Sequence, residues 1–213
     1  MANYKAPVLE QFEWQPPVLD KDLTAPPGGE SKGDRYIVGA SATGAWSGED
    51  GNIATYNGSG WDFTDKKEGM RVYVMDEDQA YEYITSWIST KMRGFVFTPH
   101  ESDDAVVVAD GKVGFPVPVD MNGMDLVYVL ASVYDKGVTG TTDIQIRRRR
   151  AGSNVDVLST QVTLGDEWFA ADGIINTSND DMQTGDMWFA DVKQIHSGTA
   201  PNGLFIVCMA RKQ

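Results

Sequence analysis

The chain of 213 residues has one cysteine and two histidines, and these scarcities exclude several classes of site. A single cysteine excludes an intrachain disulfide framework. Cys208 lies in an apolar run, which predicts a buried and unreactive thiol. The histidines, His100 and His196, stand far apart, and neither a His-Glu-x-x-His nor a Cys-x-x-Cys spacing occurs. We therefore expect no zinc site and no other resident metal.

Long apolar runs and nucleotide-binding motifs are also missing. No apolar stretch approaches the roughly 20 residues that cross a bilayer, so we expect no membrane insertion. The first residues lack the apolar core of a signal peptide, which predicts synthesis in the cytoplasm without secretion. No glycine-rich loop is followed by Lys-Ser or Lys-Thr, and no Gly-x-Ser-x-Gly elbow is present, so we expect no cofactor and no enzymatic activity.

Bases are few relative to acids. Lysine and arginine number 18 against 31 aspartates and glutamates, which gives a formal charge of −13. Both halves of the chain are acidic, so phosphate backbones would be repelled over the whole surface. This balance excludes general nucleic-acid binding as the function.

Residues 1–33 are rich in proline and yet carry large apolar side chains. The prolines prevent a continuous helix or a central strand, whereas free linkers seldom carry so much apolar surface. We interpret the segment as an extended anchoring arm that packs on its own domain or on a neighbouring subunit; an ordinary N-terminal strand with a linker is the alternative. The anchoring residues would be Tyr4, Leu9, Phe12 and Trp14.

Short β-type runs between glycine turns fill residues 34–92, and they predict a small β-domain. Its most distinctive runs are Gly33-Asp-Arg-Tyr-Ile-Val-Gly39 and Ile53-Ala-Thr-Tyr-Asn-Gly-Ser-Gly-Trp61. These two runs carry a resemblance of residues 10–90 to a small domain of unknown function. That domain is found in phage tail-fibre proteins and in spike or fibre proteins of gene transfer agents. The glycines and tryptophans themselves indicate turns and core and carry no ligand chemistry.

Residues 93–213 carry longer strand patterns separated by glycine or Asp/Asn turns, which predicts an all-β fold ending in a jelly-roll-like β-sandwich. The run at 126–134 is apolar on both faces, as in a central strand or a subunit contact. Residues 167–175 fit either a short helix or an irregular crossing. The runs Thr141-Thr-Asp-Ile-Gln-Ile-Arg-Arg-Arg-Arg150 and Gly185 to Thr199 also resemble distal β-domains of phage fibres. The predicted strands are 105–109, 112–119, 126–134, 143–150, 155–164, 187–195 and 204–209.

The two resemblances imply a structural protein on the surface of a tailed phage or phage-like particle. The expected form is a short homotrimeric fibre or spike subunit, on the head or the tail, that contacts other virion proteins and attaches to a host-surface glycan. The alternatives are a capsid decoration protein that binds no receptor, a small polysaccharide-degrading enzyme, and a cellular carbohydrate-binding module.

Candidate site residues are few. Aromatic rings beside carboxylates suit sugar binding when they are exposed, which selects Tyr134, Asp135 and Trp168; burial of the two rings in the core is the alternative. Arg147 and Arg149 face one way along a strand and could clasp acidic residues of a neighbouring subunit, although a solvated strand end is the alternative. Two carboxylate clusters could in principle supply a glycosidase pair, and the second of them also a loose calcium site. They are Asp76-Glu-Asp78 and the group Asp180, Asp181 and Asp186.

Overall fold

The computed structural model describes residues 15–212, and it confirms the all-β prediction. The described chain forms antiparallel sheets and two single-turn 3-10 helices, Gly44–Trp46 and Val119–Met121, with no α-helix. It divides between Lys91 and Met92 into two compact units. None of the described helical segments is long and apolar enough to cross a membrane.

The first unit contains two three-stranded antiparallel sheets, each built from consecutive strands. Three of the four connections within these sheets are short turns, as adjacent antiparallel strands allow, whereas the β1–β2 connection spans residues 38–52. In the turn after β2, the Asn57 side chain accepts hydrogen bonds from the N–H groups of Ser59 and Gly60. One sheet contains β1 (Arg35–Ile37), β2 (Ile53–Tyr56) and β3 (Trp61–Thr64), and the other β4 (Arg71–Val74), β5 (Gln79–Tyr83) and β6 (Trp87–Ser89).

Residues 18–24 of the proline-rich segment tie these two sheets together. Val18 forms a parallel bridge with Val74, and the Leu19 N–H donates to the Arg35 carbonyl. The Val18 side chain is fully buried between the sheets. This part of the segment is therefore integral to the first unit.

Tryptophans and tyrosines fill the core of the first unit. Trp46 is fully buried and its ring lies edge-on to Trp61, with 5.0 Å between centroids, and 5.5 Å from Tyr36. Tyr81 and Trp87 fill a second cluster with aliphatic side chains of both sheets. The glycine-rich stretch thus supplies turns and core, as its pattern indicates.

The second unit is a sandwich of two antiparallel sheets around one core. Its first long strand pairs with its last and its second with its second to last, which is the wrapping order of a jelly roll. One sheet has the order β14-β9-β17-β7 and the other β11-β10-β16-β8, with β13 also on β10. The bounds are β7 Met92–Ala105, β8 Ala109–Pro116, β9 Asp125–Asp135, β10 Thr142–Arg150, β11 Ser153–Asp156, β12 Leu158–Thr160, β13 Val162–Leu164, β14 Ala170–Asp172, β15 Ile174–Ile175, β16 Met187–Gln194 and β17 Asn202–Arg211.

Side chains from both sheets interdigitate in this core. The Phe95 ring stacks on Phe115 at 4.3 Å and meets the fully buried Trp188 edge-on. Cys208 is fully buried, and burial raises the pKa of its thiol. Such a thiol is almost entirely protonated at neutral pH and therefore unreactive.

Two strand predictions in this unit are wrong. Residues 106–108 connect two strands instead of forming one, and the predicted strand 155–164 is broken into three short pieces. Residues 167–175, where the sequence left a short helix or an irregular crossing open, contain the short strands β14 and β15. The long strand β7 was not predicted because Gly94 and Pro99 interrupt its pattern. Since β7 lies at the edge of its sheet, Pro99 needs no ladder partner there.

Candidate functional site

An exposed aromatic surface lies at one end of the four-stranded sheet, where β9 ends and β14 begins. We define the aromatic surface as Tyr134, Trp168 and Phe169 with the polar residues between and beside them. These three rings are 64%, 57% and 54% exposed. Large rings are usually well buried, so three exposed rings on adjoining segments make this a candidate binding surface.

Hydrogen bonds join the two chain segments that carry the rings. The Val133 N–H donates to the Phe169 carbonyl at 2.9 Å, and the Glu167 N–H donates to the Gly137 carbonyl at 3.1 Å. The Thr139 N–H donates to the Asp166 carboxylate. The segment 165–169 is therefore fixed against the loop that follows β9.

The buried His196 contacts the segment that carries Trp168. Its Nε2 lies 3.3 Å from the Gly165 carbonyl, which can only accept, so Nε2 carries a proton and donates. Nδ1 then accepts from the Thr142 hydroxyl at 2.9 Å. A Cβ on Gly137 would collide with the His196 ring at Nδ1, so no side chain fits at residue 137. The Trp168 ring also packs closely over Gly165.

Side chains of both charges lie beside the aromatic rings. The Lys136 ammonium forms an ion pair with Glu167 at 2.6 Å and lies 5.1 Å from the centre of the Phe169 ring. Asp135 accepts a hydrogen bond from Asn202 at 3.3 Å, and its other oxygen has no hydrogen-bond partner within residues 15–212. Stacking rings beside hydrogen-bonding carboxylates are the groups that hold a sugar ring.

The structure therefore brings together the three residues selected for glycan binding. Tyr134 and Asp135 end β9, and Trp168 lies in the segment hydrogen-bonded to that end. Their role stays a prediction. Phe169, Lys136 and Glu167 were missed, although Glu167 and Phe169 flank Trp168 in the sequence. The proposed anchoring residues Tyr4, Leu9, Phe12 and Trp14 lie outside the described residues.

The arginine run alternates between two environments along β10. Arg147 pairs with the fully buried Asp191 at 3.1 Å and covers the Phe189 ring, while Arg149 is exposed. The predicted clasp thus has one arginine already engaged within the chain. Arg148 and Arg150 face the other way, toward two aspartates.

The sequence makes these two aspartates candidates for catalysis or calcium binding. In the structure they form ion pairs with arginines. Asp181 binds both Arg148 and Arg150, and Asp186 binds Arg150 at 2.6 Å. Burial alone would raise the pKa of each carboxyl, but the arginine hydrogen bonds outweigh burial and lower it. Within residues 15–212, no group of three or more acidic, histidine or cysteine side chains is placed to hold a metal ion.

The first unit contains an open cleft that was not expected from the sequence. We call it the inter-sheet cleft; its volume is about 530 Å³, and its walls include Lys21, Gly39, Asp50, Lys66, Tyr83 and Trp87. Tyr83 and Trp87 pair across the β5–β6 hairpin with ring centres 5.5 Å apart. The sequence signal for this ring pair is the spacing of two aromatic residues four positions apart around a turn.

The family described as "Protein of unknown function (DUF2793)" matches residues 12–88. Comparison with curated proteins finds no match. The matched range contains both sheets of the first unit except the last residue of β6, and all residues that line the inter-sheet cleft. The aromatic surface lies in the part of the chain beyond the match.

Proposed function

We propose that the chain is a non-enzymatic attachment protein on the surface of a tailed phage or phage-like particle. In this proposal it is a short trimeric fibre or spike subunit, and its second unit binds a host-surface glycan. The aromatic surface carries the proposal, because three exposed rings and adjacent carboxylates lie on hydrogen-bonded segments at one end of the sheet. The particle context rests on the resemblances of residues 10–90 and 141–199 to phage fibre domains.

The chemistry of the aromatic surface suits a sugar better than a protein partner. Tyr134 and Trp168 present ring faces for the C–H groups of a pyranose, and Asp135 can accept from its hydroxyls. The rings stand among charged groups, so the surface is not a continuous apolar patch. Weak contacts of this kind become firm attachment when several subunits bind together.

An outer apolar face of the second unit supports the trimer. We define this face as the solvent side of β7, β17 and β9, where Val96, Val207 and Leu130 form one row and Gly94, Met209 and Tyr128 the next. Val96 is 54% exposed. Subunits of charge −13 repel one another, and such an uncharged face allows them to approach most closely.

Replacing Trp168 and Tyr134 by alanine tests the glycan site. Loss of a stacking ring should weaken binding to host-surface polysaccharide roughly tenfold per subunit, and more when three subunits bind together. Binding of the purified full chain to immobilised host polysaccharide, followed by surface plasmon resonance, measures the effect.

The matched control is Tyr73→Ala, since Tyr73 is an exposed tyrosine of the first unit, on β4. Unchanged binding by both the Trp168→Ala and Tyr134→Ala proteins would remove the aromatic surface as the receptor site. A wild-type protein that binds no host polysaccharide would favour the capsid decoration alternative. Release of reducing sugar from the polysaccharide would instead indicate the enzyme.

A further inference from the structure

The inter-sheet cleft of the first unit is held rigid by contacts that its own walls make. The Trp87 indole N–H donates to the Gly51 carbonyl at 2.8 Å, which links the β5–β6 hairpin to the other sheet. The Asp50 carboxylate accepts from the N–H groups of Ser41 and Ala42. A cleft that exists before binding loses little entropy when a ligand enters.

Gly39 lets the walls of this cleft pack closely. A Cβ on Gly39 would lie 2.9 Å from the backbone oxygens of both Asp22 and Leu23. The Gly39 N–H also donates to the Leu23 carbonyl at 2.8 Å. Close backbone packing of this kind keeps residues 21–24 in place as one wall.

The charged groups in the cleft are balanced and already engaged. Lys21 binds Asp22 at 2.8 Å and lies 3.6 Å from Glu77, and the Lys66 ammonium donates to the Asp50 carbonyl at 2.5 Å. The cleft walls hold two lysines and two aspartates, so their formal charges cancel. A phosphate or another ionic ligand would have to displace these contacts, and the cleft therefore disfavours charged ligands.

The groups left free to bind are neutral hydroxyls. Thr24, Tyr83, Thr85 and Ser86 line the cleft, and their side-chain hydroxyls bond to no other group among the described residues. The Tyr83 ring is half-buried against Trp87 and forms an aromatic wall beside these hydroxyls. Free hydroxyls around an aromatic wall match a ligand that has hydroxyls on its rim and C–H groups on its faces.

We propose that the inter-sheet cleft binds a neutral sugar of one or two pyranose rings. Its volume of about 530 Å³ lies within the range of small-molecule sites. Tyr83 would stack on the sugar, and the hydroxyls of Thr85 and Ser86 would bond its rim. This site is separate from the aromatic surface and does not depend on the function proposed there.

Chemical-shift mapping on the isotope-labelled full chain tests the cleft. The probes are the methyl glycosides of glucose, galactose, mannose and N-acetylglucosamine, with methyl glucuronide as the charged comparison. At least one neutral glycoside should shift the Trp87 indole resonance and the amides of residues 83–87. Methyl glucuronide should bind more weakly than that glycoside.

Two variants give this test its specificity. Thr85→Val combined with Ser86→Ala removes two hydroxyls at exposed hairpin positions, so folding should persist and affinity should fall roughly tenfold. Tyr83→Ala should abolish the shifts, whereas Tyr73→Ala and Trp168→Ala should leave them unchanged. The proposal is overturned when none of the four neutral glycosides binds, when the double variant binds as tightly as the wild type, or when methyl glucuronide binds best. Shifts confined to residues 134–137 and 165–169 would support the aromatic surface and refute the cleft.

Discussion

Arg150 illustrates how single residues decide the stability of the second unit. Its guanidinium binds Asp186 and Asp181, and Asp186 is only 2% exposed. A buried carboxylate that loses its only cationic partner remains as an uncompensated charge. The Lys136–Glu167 pair, in contrast, is exposed to water, which screens it.

We expect Arg150→Gln to lower the free energy of unfolding by about 3 kcal/mol at pH 7. The matched control Lys136→Gln should change it by less than about 0.5 kcal/mol. Urea unfolding followed by tryptophan fluorescence measures both values. Equal effects of the two substitutions would show that the buried pair contributes no more than a surface pair.

The effect of Arg150→Gln should also depend on pH. The pKa values of Asp181 and Asp186 are lowered in the folded protein, so their stabilising contribution is present above the ordinary carboxyl pKa of about 4 and is lost as pH falls through the lowered values. The difference between wild type and variant should therefore shrink below pH 4. Burial raises the pKa of Asp125 and Asp180 in both proteins. Their contribution to the pH dependence of stability therefore cancels when the two proteins are compared. A difference that stays constant from pH 7 to pH 2 would contradict this assignment.

At the scale of elements, the place of each strand in its sheet and the burial of its side chains explain two features, a proline within β7 and apolar residues on both faces of β9. Pro99 is tolerated in β7 because that strand lies at a sheet edge. Side chains along β9 alternate between buried and more exposed, so one of its faces enters the core and the other forms part of the outer apolar face. The apolar residues on both faces of 126–134 thus have two different roles.

Val96→Lys should break subunit association through the outer apolar face. A lysine at this position would place three ammonium groups in the proposed trimer contact. Light scattering should give three times 23.4 kDa for the wild type and a single-chain mass for the variant. Val119→Lys is the control, since Val119 is 79% exposed and lies outside this face. A wild-type mass of one chain would exclude the trimer.

At the scale of the whole molecule, net charge sets the conditions for assembly. Each chain carries −13, so subunits that meet through an uncharged face do so against mutual repulsion. A clasp between Arg147 or Arg149 and acidic residues of a neighbour would instead be an attraction between opposite charges. Salt weakens the repulsion between subunits, which favours association, and it weakens the attraction in a clasp, which opposes association.

We expect the subunit dissociation constant to fall when sodium chloride rises from about 20 to about 300 mM, because screening weakens the repulsion. Analytical ultracentrifugation at both concentrations measures it. The double variant Arg147→Ser with Arg149→Ser should associate as the wild type does. Weaker association at high salt, together with loss of association in that variant, would assign assembly to the arginine clasp.

The sequence by itself determined the all-β class, because alternating apolar residues and glycine turns exclude long helices whatever the tertiary arrangement. It also located the buried Cys208, whose apolar neighbours are adjacent to it in the chain. Contacts between distant segments had to come from the tertiary structure. Trp168 lies beside the end of β9, and Arg150 beside Asp186, only because the sandwich folds those strands together. The inter-sheet cleft likewise exists because several separate segments converge, and no periodicity in the sequence encodes a space between them.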